Sequence, residues 1–324
     1  MKTKFSKLET TESLENTVPM SEMNNEKPSV IPEKRSSLFY GIFFIILSAF
    51  FYSLMSLFVR LAGDLPTFQK SFFRNLVAAF VGFILLWKSG SFKMQKGSLP
   101  ALLGRSIAGT VGIVCNFYAI DHMNISDASI LNKLAPFFSI IFSVFILKER
   151  ASWKDWLIVA VAFGGALFVV KPSFDTSKSV PALIGALGGL GAGLAYTFVR
   201  YLSIRGERSA MIVFFFSSFS CLVALPLTIV QYEPMEFMQV FFLVLAGIAA
   251  SAAQFSVTAA YAHAPAKDIS VYDYSQVLFS ALWGFVFLSE FPDVYSIIGY
   301  AIIIGAAVVK YILSRKQGNR TLLK

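Results

Sequence analysis

Two histidines and two cysteines in 324 residues leave little from which to build a metal centre or a disulfide framework. Cys115 and Cys221 lie in separate apolar stretches with no CxxC spacing. Both read as small hydrophobic residues and carry no sign of a redox compartment. No metal-ligand cluster, nucleophilic triad or phosphate-binding glycine loop occurs, so direct drive by ATP and enzyme chemistry are not expected, nor is any cofactor. No apolar leader opens the chain: residues 1–36 are polar, rich in Glu, Lys, Ser and Asn, and are expected to form a disordered cytoplasmic tail. Above all, charge is scarce. Asp, Glu, Lys and Arg make up 15% of the residues, where a soluble domain averages about 25%.

What fills the chain instead is apolar: 56% of residues, with 34 phenylalanines. Runs of about 20 apolar residues, each long enough for a hydrocarbon core of about 30 Å, recur from Leu38 onward. Ten spans are expected, near 38–60, 66–87, 99–120, 126–147, 152–171, 180–201, 210–231, 237–261, 268–289 and 294–313. The fold class is therefore all-α, a polytopic membrane protein, with the lipid bilayer as its first partner. The net charge of +9 is no nucleic-acid signal, because the basic residues sit between spans. One side collects Lys34, Arg35, Lys88, Lys93, Lys96, Lys148, Arg150, Lys154, Arg200, Arg205, Arg208, Lys267, Lys310, Arg315, Lys316 and Arg320. The other holds only Arg60, Lys171 and Lys178. The positive-inside rule then places both termini in the cytoplasm and the chain in the cell (inner) membrane.

The chain also repeats itself. Moved forward by 141 positions, His122 falls on His263, Asp127 on Asp268, Ser129 on Ser270, Ser139 on Ser280, Glu149 on Glu290 and Gly164 on Gly305. "FVR" at 58–60 recurs at 198–200. Two copies of a five-helix unit follow, at 37–173 and 178–313, with a cytoplasmic tail at 314–324. Five is odd, so the second copy enters the membrane inverted. Inverted repeats are the architecture of secondary transporters, whose substrate site lies near the midplane.

"FILKER" followed by "WLIVAVAFGGALFVV" resembles the close of an EamA-type repeat, and "FLSEF" followed by "IIGYAIIIGAAVVK" closes the second copy in the same way. The likeness to the drug/metabolite transporter superfamily covers roughly residues 38–313. It implies a ten-helix transporter, importing or exporting a small metabolite. Glu149, Gly164, Glu290, Gly299 and Gly305 match the family pattern; Ile158 departs from it, standing where the second copy has Gly299.

Within this frame the polar residues inside spans are the candidates for binding. Ser129, Asn132, Pro136, Ser139 and Ser143 step by three and four along one face of the fourth span. Asp273, Gln276, Ser280 and Gly284 do so on the ninth. Asn132 maps onto Asp273 and Lys133 onto Tyr274. The two stripes either line a central cavity or glue helices together. Pro136 is expected to kink the fourth helix and free the carbonyl of Asn132. Arg74, Arg105 and Lys133 outnumber Asp273, which favours an amino-acid-like or other carboxylate-bearing substrate, with Asp273 able to meet an amine or a coupling proton. For Arg105, snorkelling to the interface stays open beside a cavity role. Asn116, Tyr196 and Gln254 complete the candidate set. His122, His263, Glu149 and Glu290 read as helix-end caps, and the Gly185, Gly189 and Gly193 series as a packing face. A polytopic enzyme or sensor is the competing reading, and a homodimer is left open.

Overall fold

The computed structural model describes residues 30–122, 131–170, 179–289 and 291–322. The chain crosses back and forth as α1 (Val30–Leu61), α2 (Thr67–Lys88), α3 (Leu99–His122), α4 (Ala135–Ile146), α5 (Trp153–Val170), α6 (Ser179–Ile204), α7 (Ser209–Val230) and α8 (Phe237–His263). The ninth span is composite: α9 (Ala266–Ile269), a 3₁₀ segment (Ser270–Tyr274) and α10 (Ser275–Leu288). Then α11 (Val294–Leu322) closes the chain. Among the described residues there is no strand, as lipid requires of a non-barrel chain whose backbone groups must be satisfied within each segment. Seven of these helices are long and apolar enough to span a bilayer, and Ala135–Ile146 is a shorter apolar one. The expected N-terminal tail lies mostly outside the described residues; α1 already begins at Val30, and α11 runs on through the stretch expected to be a C-terminal tail.

The packing is that of an inverted repeat. α1 lies along α8, and α3 along α6; exchanging the repeats converts one pair into the other. In the same way α4 on α6 answers α10 on α1, and α2 on α8 answers α7 on α3. The pairs α2–α7 and α5–α11 are their own images. Contacts therefore run mainly between repeats, and the two copies interlock. Local backbone agrees. Lys148 and Ser289, 141 positions apart, are the non-glycine residues with positive φ among the described residues, at 56° and 55°. Each sits just past the helix before the last hairpin of its copy, where a left-handed residue ends a helix. The next helices are capped with the same chemistry in exchanged order. Asp155 accepts from the Ser152 N–H and hydroxyl, while Asp293 accepts from those of Ser296.

Glycines set the closest approaches. A Cβ on Gly299 would lie 2.5 Å from the Gly165 carbonyl oxygen, and one on Gly165 would lie 2.9 Å from that of Gly299. So α5 and α11 cross backbone to backbone at these two residues. Of the three glycines that match the family pattern, Gly164 and Gly305 face open space, while Gly299 makes this crossing. On α6, Gly188 and Gly191 meet Gly112 of α3. The Gly185, Gly189 and Gly193 face meets the fourth span at Leu131, Ala135 and Phe138.

Candidate functional site

The fourth and ninth spans are both interrupted, at equivalent places. After Leu131 and Asn132 the chain turns at Lys133 and Leu134 and restarts as α4. Pro136 lies in the first turn of that new helix, where its missing N–H costs nothing. The proline thus begins a helix rather than kinking one. The carbonyl put to use is that of Lys133, which accepts a hydrogen bond from the Tyr274 hydroxyl at 2.9 Å. The 3₁₀ segment Ser270–Tyr274 falls on positions 129–133 of the first copy and needs no proline. α6 accepts the broken fourth span because its glycines let it approach: a Cβ on Gly189 would lie 2.6 Å from the Leu131 oxygen.

The two breaks bring the central polar side chains together. Lys133 Nζ donates to Gln276 Oε1 at 2.5 Å and stands 3.9 Å from Asp273 Oδ2. The side chains of Lys133 and Asp273 are 15% and 16% exposed, so both retain contact with space that a ligand or water can enter. Tyr274 is fully buried, its ring filling the core while its hydroxyl holds the opposite break. Asn132 is exposed and does not join the cluster. A cavity of about 430 Å³ reaches Lys133 and Gln276, lined also by Ser56, Ser280, Ser296 and Tyr300. Phe291 and Pro292, just before α11, are also in its lining, so it reaches toward the end of the bundle opposite the chain termini.

Below this lies a second polar group. Arg105 is 3% exposed and therefore does not snorkel. Its Nη2 donates to Gln254 Oε1 at 3.2 Å, and its guanidinium lies 3.9 Å from the centre of the Phe216 ring. Arg74 is near enough to act on it electrostatically. Tyr52 is within electrostatic reach of Arg74, Arg105, Asp273 and Tyr196, which places it between the two groups. Tyr52 carried no signal in sequence, lying outside every polar stripe. Asn116 is displaced from this group. Its backbone packs on Gly188 at the α3–α6 crossing, and its Oδ1 is buried with no hydrogen-bond partner among the described residues.

Toward the terminal end the site is shut. Tyr196 stacks on Tyr261, with ring centres 5.3 Å apart. Tyr261 lies against Ser139 and Ser270, whose hydroxyls are 3.1 Å apart. Further out, Arg200 donates to Glu149 at 3.2 Å and to the carbonyls of Tyr261 and Ala262 at 3.0 Å each. Glu149 is thus no cap for the following helix, a task Ser152 and Asp155 perform. It is instead the counter-ion of an arginine that ends α8. Glu290 lies outside the described residues. Lys310, buried at 3%, bridges Asp155 at 2.7 Å and Asp268 at 3.0 Å, tying α5, α9 and α11. His122 and His263 each bond the carbonyl four residues back, at 2.9 and 2.8 Å, as helix-end residues do.

Comparison with known proteins agrees with this architecture. The EamA-like transporter family pattern matches residues 39–171 and again 180–312. The pseudopaline exporter CntI of Pseudomonas aeruginosa is 34% identical over 270 residues, covering 83% of this chain and 94% of that one. The S-adenosylmethionine uptake transporter of Rickettsia prowazekii is 22% identical, covering 83% and 91%. A solved crystal structure superposes with a TM-score of 0.76 at 18% identity, covering 87% of this chain and 99% of that one, which speaks to the fold alone. Two matched repeats spanning nearly all the apolar sequence, in a multi-pass helical bundle, place this chain in the EamA-like transporter family.

Proposed function

We propose that this protein is a secondary transporter, an exporter or facilitator, for a small amino-acid-like or otherwise carboxylate-bearing metabolite. The observation that carries the reading is the meeting of Lys133, Gln276 and Asp273 at two helix breaks, beneath a cavity open to one end and sealed toward the other. Broken helices near the midplane are where transporters of this architecture hold substrate. Lys133 presents an ammonium to a carboxylate and Asp273 a carboxylate to an amine or a coupling proton. The relatives are named as an exporter in one case and an uptake transporter in another, which supports transport without fixing its direction. The inverted-repeat architecture and the transporter family pattern matched in both repeats favour this over a membrane enzyme.

The lysine and arginine distribution supports cytoplasmic termini in the cytoplasmic membrane, which makes the sealed end the inner one. A cytoplasm-dependent reporter fused after Lys324 is then active. Because the copies interlock, the bodies that move in alternating access contain helices of both repeats. One contains α1, α2, α8 and α10; the other contains α3, α4, α6 and α7. The testing experiment is uptake into vesicles containing the purified protein, following amino acids, dicarboxylates and nucleosides in parallel. Accumulation of a carboxylate-bearing amine, lost in Asp273→Asn, is the expected result; counterflow of nucleosides alone overturns it.

A further inference from the structure

Arg105 is the most deeply placed cation in the substrate region. It is held in a cradle that the transporter reading leaves unexplained. Its guanidinium lies over Phe216, and its Nη1 packs against Gly109 beside that ring. A Cβ at Gly109 would fall 2.3 Å from Nη1 and 2.8 Å from the Phe216 ring. Gln254 takes one donor, on Nη2. The Nε–H is buried and has no partner among the described residues, and the same is true of the Arg74 Nε. The ion pairs recorded among those residues give neither arginine a carboxylate. Two mutually repelling cations with unfilled donors, inside a bilayer, make a place for an oxyanion. Planar guanidinium donors match a carboxylate or phosphate in two-point fashion. Asp273 does not fill the place, since it stands by Lys133 at the other group.

We infer that Arg105, with the charge of Arg74 in electrostatic reach, forms a second oxyanion subsite, so that the substrate carries a carboxylate or phosphate in addition to its amino-acid-like head group. The inference rests on the transporter reading and sharpens it. The head group engages Lys133, Gln276 and Asp273; the second anion engages the arginines; Tyr52 lies between. Gly109 and Phe216 are positioning residues, acting through Arg105. A simple neutral amino acid fills only half of this arrangement. The net charge of the residues involved, three cations against Asp273, is met by a substrate that is itself a net anion.

The test is a thermal-shift series on the full-length protein in detergent, with glutamate, glutamine, glutarate and O-phosphoserine at equal concentration. At equal concentration, a ligand favouring the folded state raises its stability by an amount that grows with the logarithm of its affinity. Glutamate is expected to bind at least tenfold more tightly than glutamine, with the gap closing as salt rises. Arg105→Gln abolishes the gap; Arg105→Lys keeps part of it. Gly109→Ala, which displaces the guanidinium, mimics Arg105→Gln. If Gly109→Ala does not fold, Phe216→Leu takes its place, leaving the charge and removing the ring. O-phosphoserine binding above glutamate assigns the subsite to phosphate rather than carboxylate. Glutamine equal to glutamate, or a gap that survives in Arg105→Gln, overturns the inference. Glutarate equal to glutamate instead sinks the amino-acid-like head group and leaves the oxyanion subsite standing. No shift with any of the four overturns both.

Discussion

Ser139 and Ser270 meet hydroxyl to hydroxyl, 3.1 Å apart, across the boundary between the repeats, and both are fully buried. The repeat register gives Ser139 a counterpart in Ser280. That residue is exposed and lines the open cavity. Similarly Tyr196, stacked against Tyr261, corresponds to Ser56 in the "FVR" register, which also lines the cavity. Equivalent positions are thus closed at one end and open at the other. Exchanging the conformations of the two copies closes the cavity and opens the serine seam.

This gives the first prediction. Ser139→Cys with Ser270→Cys, in a background where Cys115 and Cys221 are alanine, forms a disulfide in the present state. The locked protein keeps ligand binding from the open end and loses transport; reduction restores it. A protein that transports at full rate while quantitatively cross-linked contradicts a moving seam.

The second prediction concerns the latch beyond that seam. Arg200 makes one bond to Glu149 and two to carbonyls at the end of α8. Hydrogen bonds to a charged group are worth about 1.5–3 kcal/mol each when sheltered, and less here because both side chains are partly exposed. Glu149→Gln removes only the pair, whereas Arg200→Ala also uncaps α8. Arg200→Ala should lower the melting temperature more than Glu149→Gln. Both should raise labelling of a cysteine introduced at Ser203 from the terminal end. Equal melting temperatures in the two variants would show that the carbonyl bonds contribute nothing.

The sequence carried the spans, the repeat and the central charges for physical reasons. Hydrocarbon forbids polar residues in spans, so those that remain, such as Lys133, Asp273 and Arg105, stand out. The 141-residue register survives because helix ends keep their chemistry, as at Lys148 and Ser289. Contacts across the bundle were not legible. Glu149 reads as a cap until the α6 arginine facing it is placed. Tyr52 is one aromatic residue among many until its hydroxyl is seen beside Tyr196. Asn116 shared a helical stripe with Arg105, yet the close α3–α6 crossing takes it away from the site. The ninth-span break had no proline to announce it, only its equivalence to the fourth.

The third prediction separates two glycines of the family pattern, one that faces open space and one that packs. Gly305 faces open space, so Gly305→Ala leaves the fold intact and gains up to about 1 kcal/mol of helix propensity. Gly299→Ala places a methyl carbon 2.5 Å from the Gly165 carbonyl oxygen. The α5 and α11 backbones must then separate, at a cost of about 1–3 kcal/mol. Melting temperatures measured in the same detergent should move in opposite directions. A fall of similar size in both variants would mean that α5–α11 packing is not what Gly299 secures.

The last prediction concerns the centre. Lys133 has two partners of unequal quality, Gln276 at 2.5 Å and Asp273 at 3.9 Å. Asp273→Asn leaves the stronger bond in place, so its stability cost should stay below about 2 kcal/mol. Lys133→Met strips Gln276 and leaves Asp273 as a carboxylate with no ion-pair partner among the described residues, a loss nearer 3 kcal/mol. Both variants should abolish transport, because each removes one of the charges that face a zwitterion or carry the coupling proton. The double variant should recover much of the stability lost in Lys133→Met, since no charge is then stranded, yet stay inactive. Stability is read by thermal unfolding, and transport by vesicle uptake across about pH 5 to pH 8, a range that brackets any proton role for a membrane-embedded carboxylate. Normal, pH-independent uptake by Asp273→Asn would remove the carboxylate from both substrate binding and coupling. Lys133 would then act with Gln276 alone, and substrate recognition would rest on the arginines beneath.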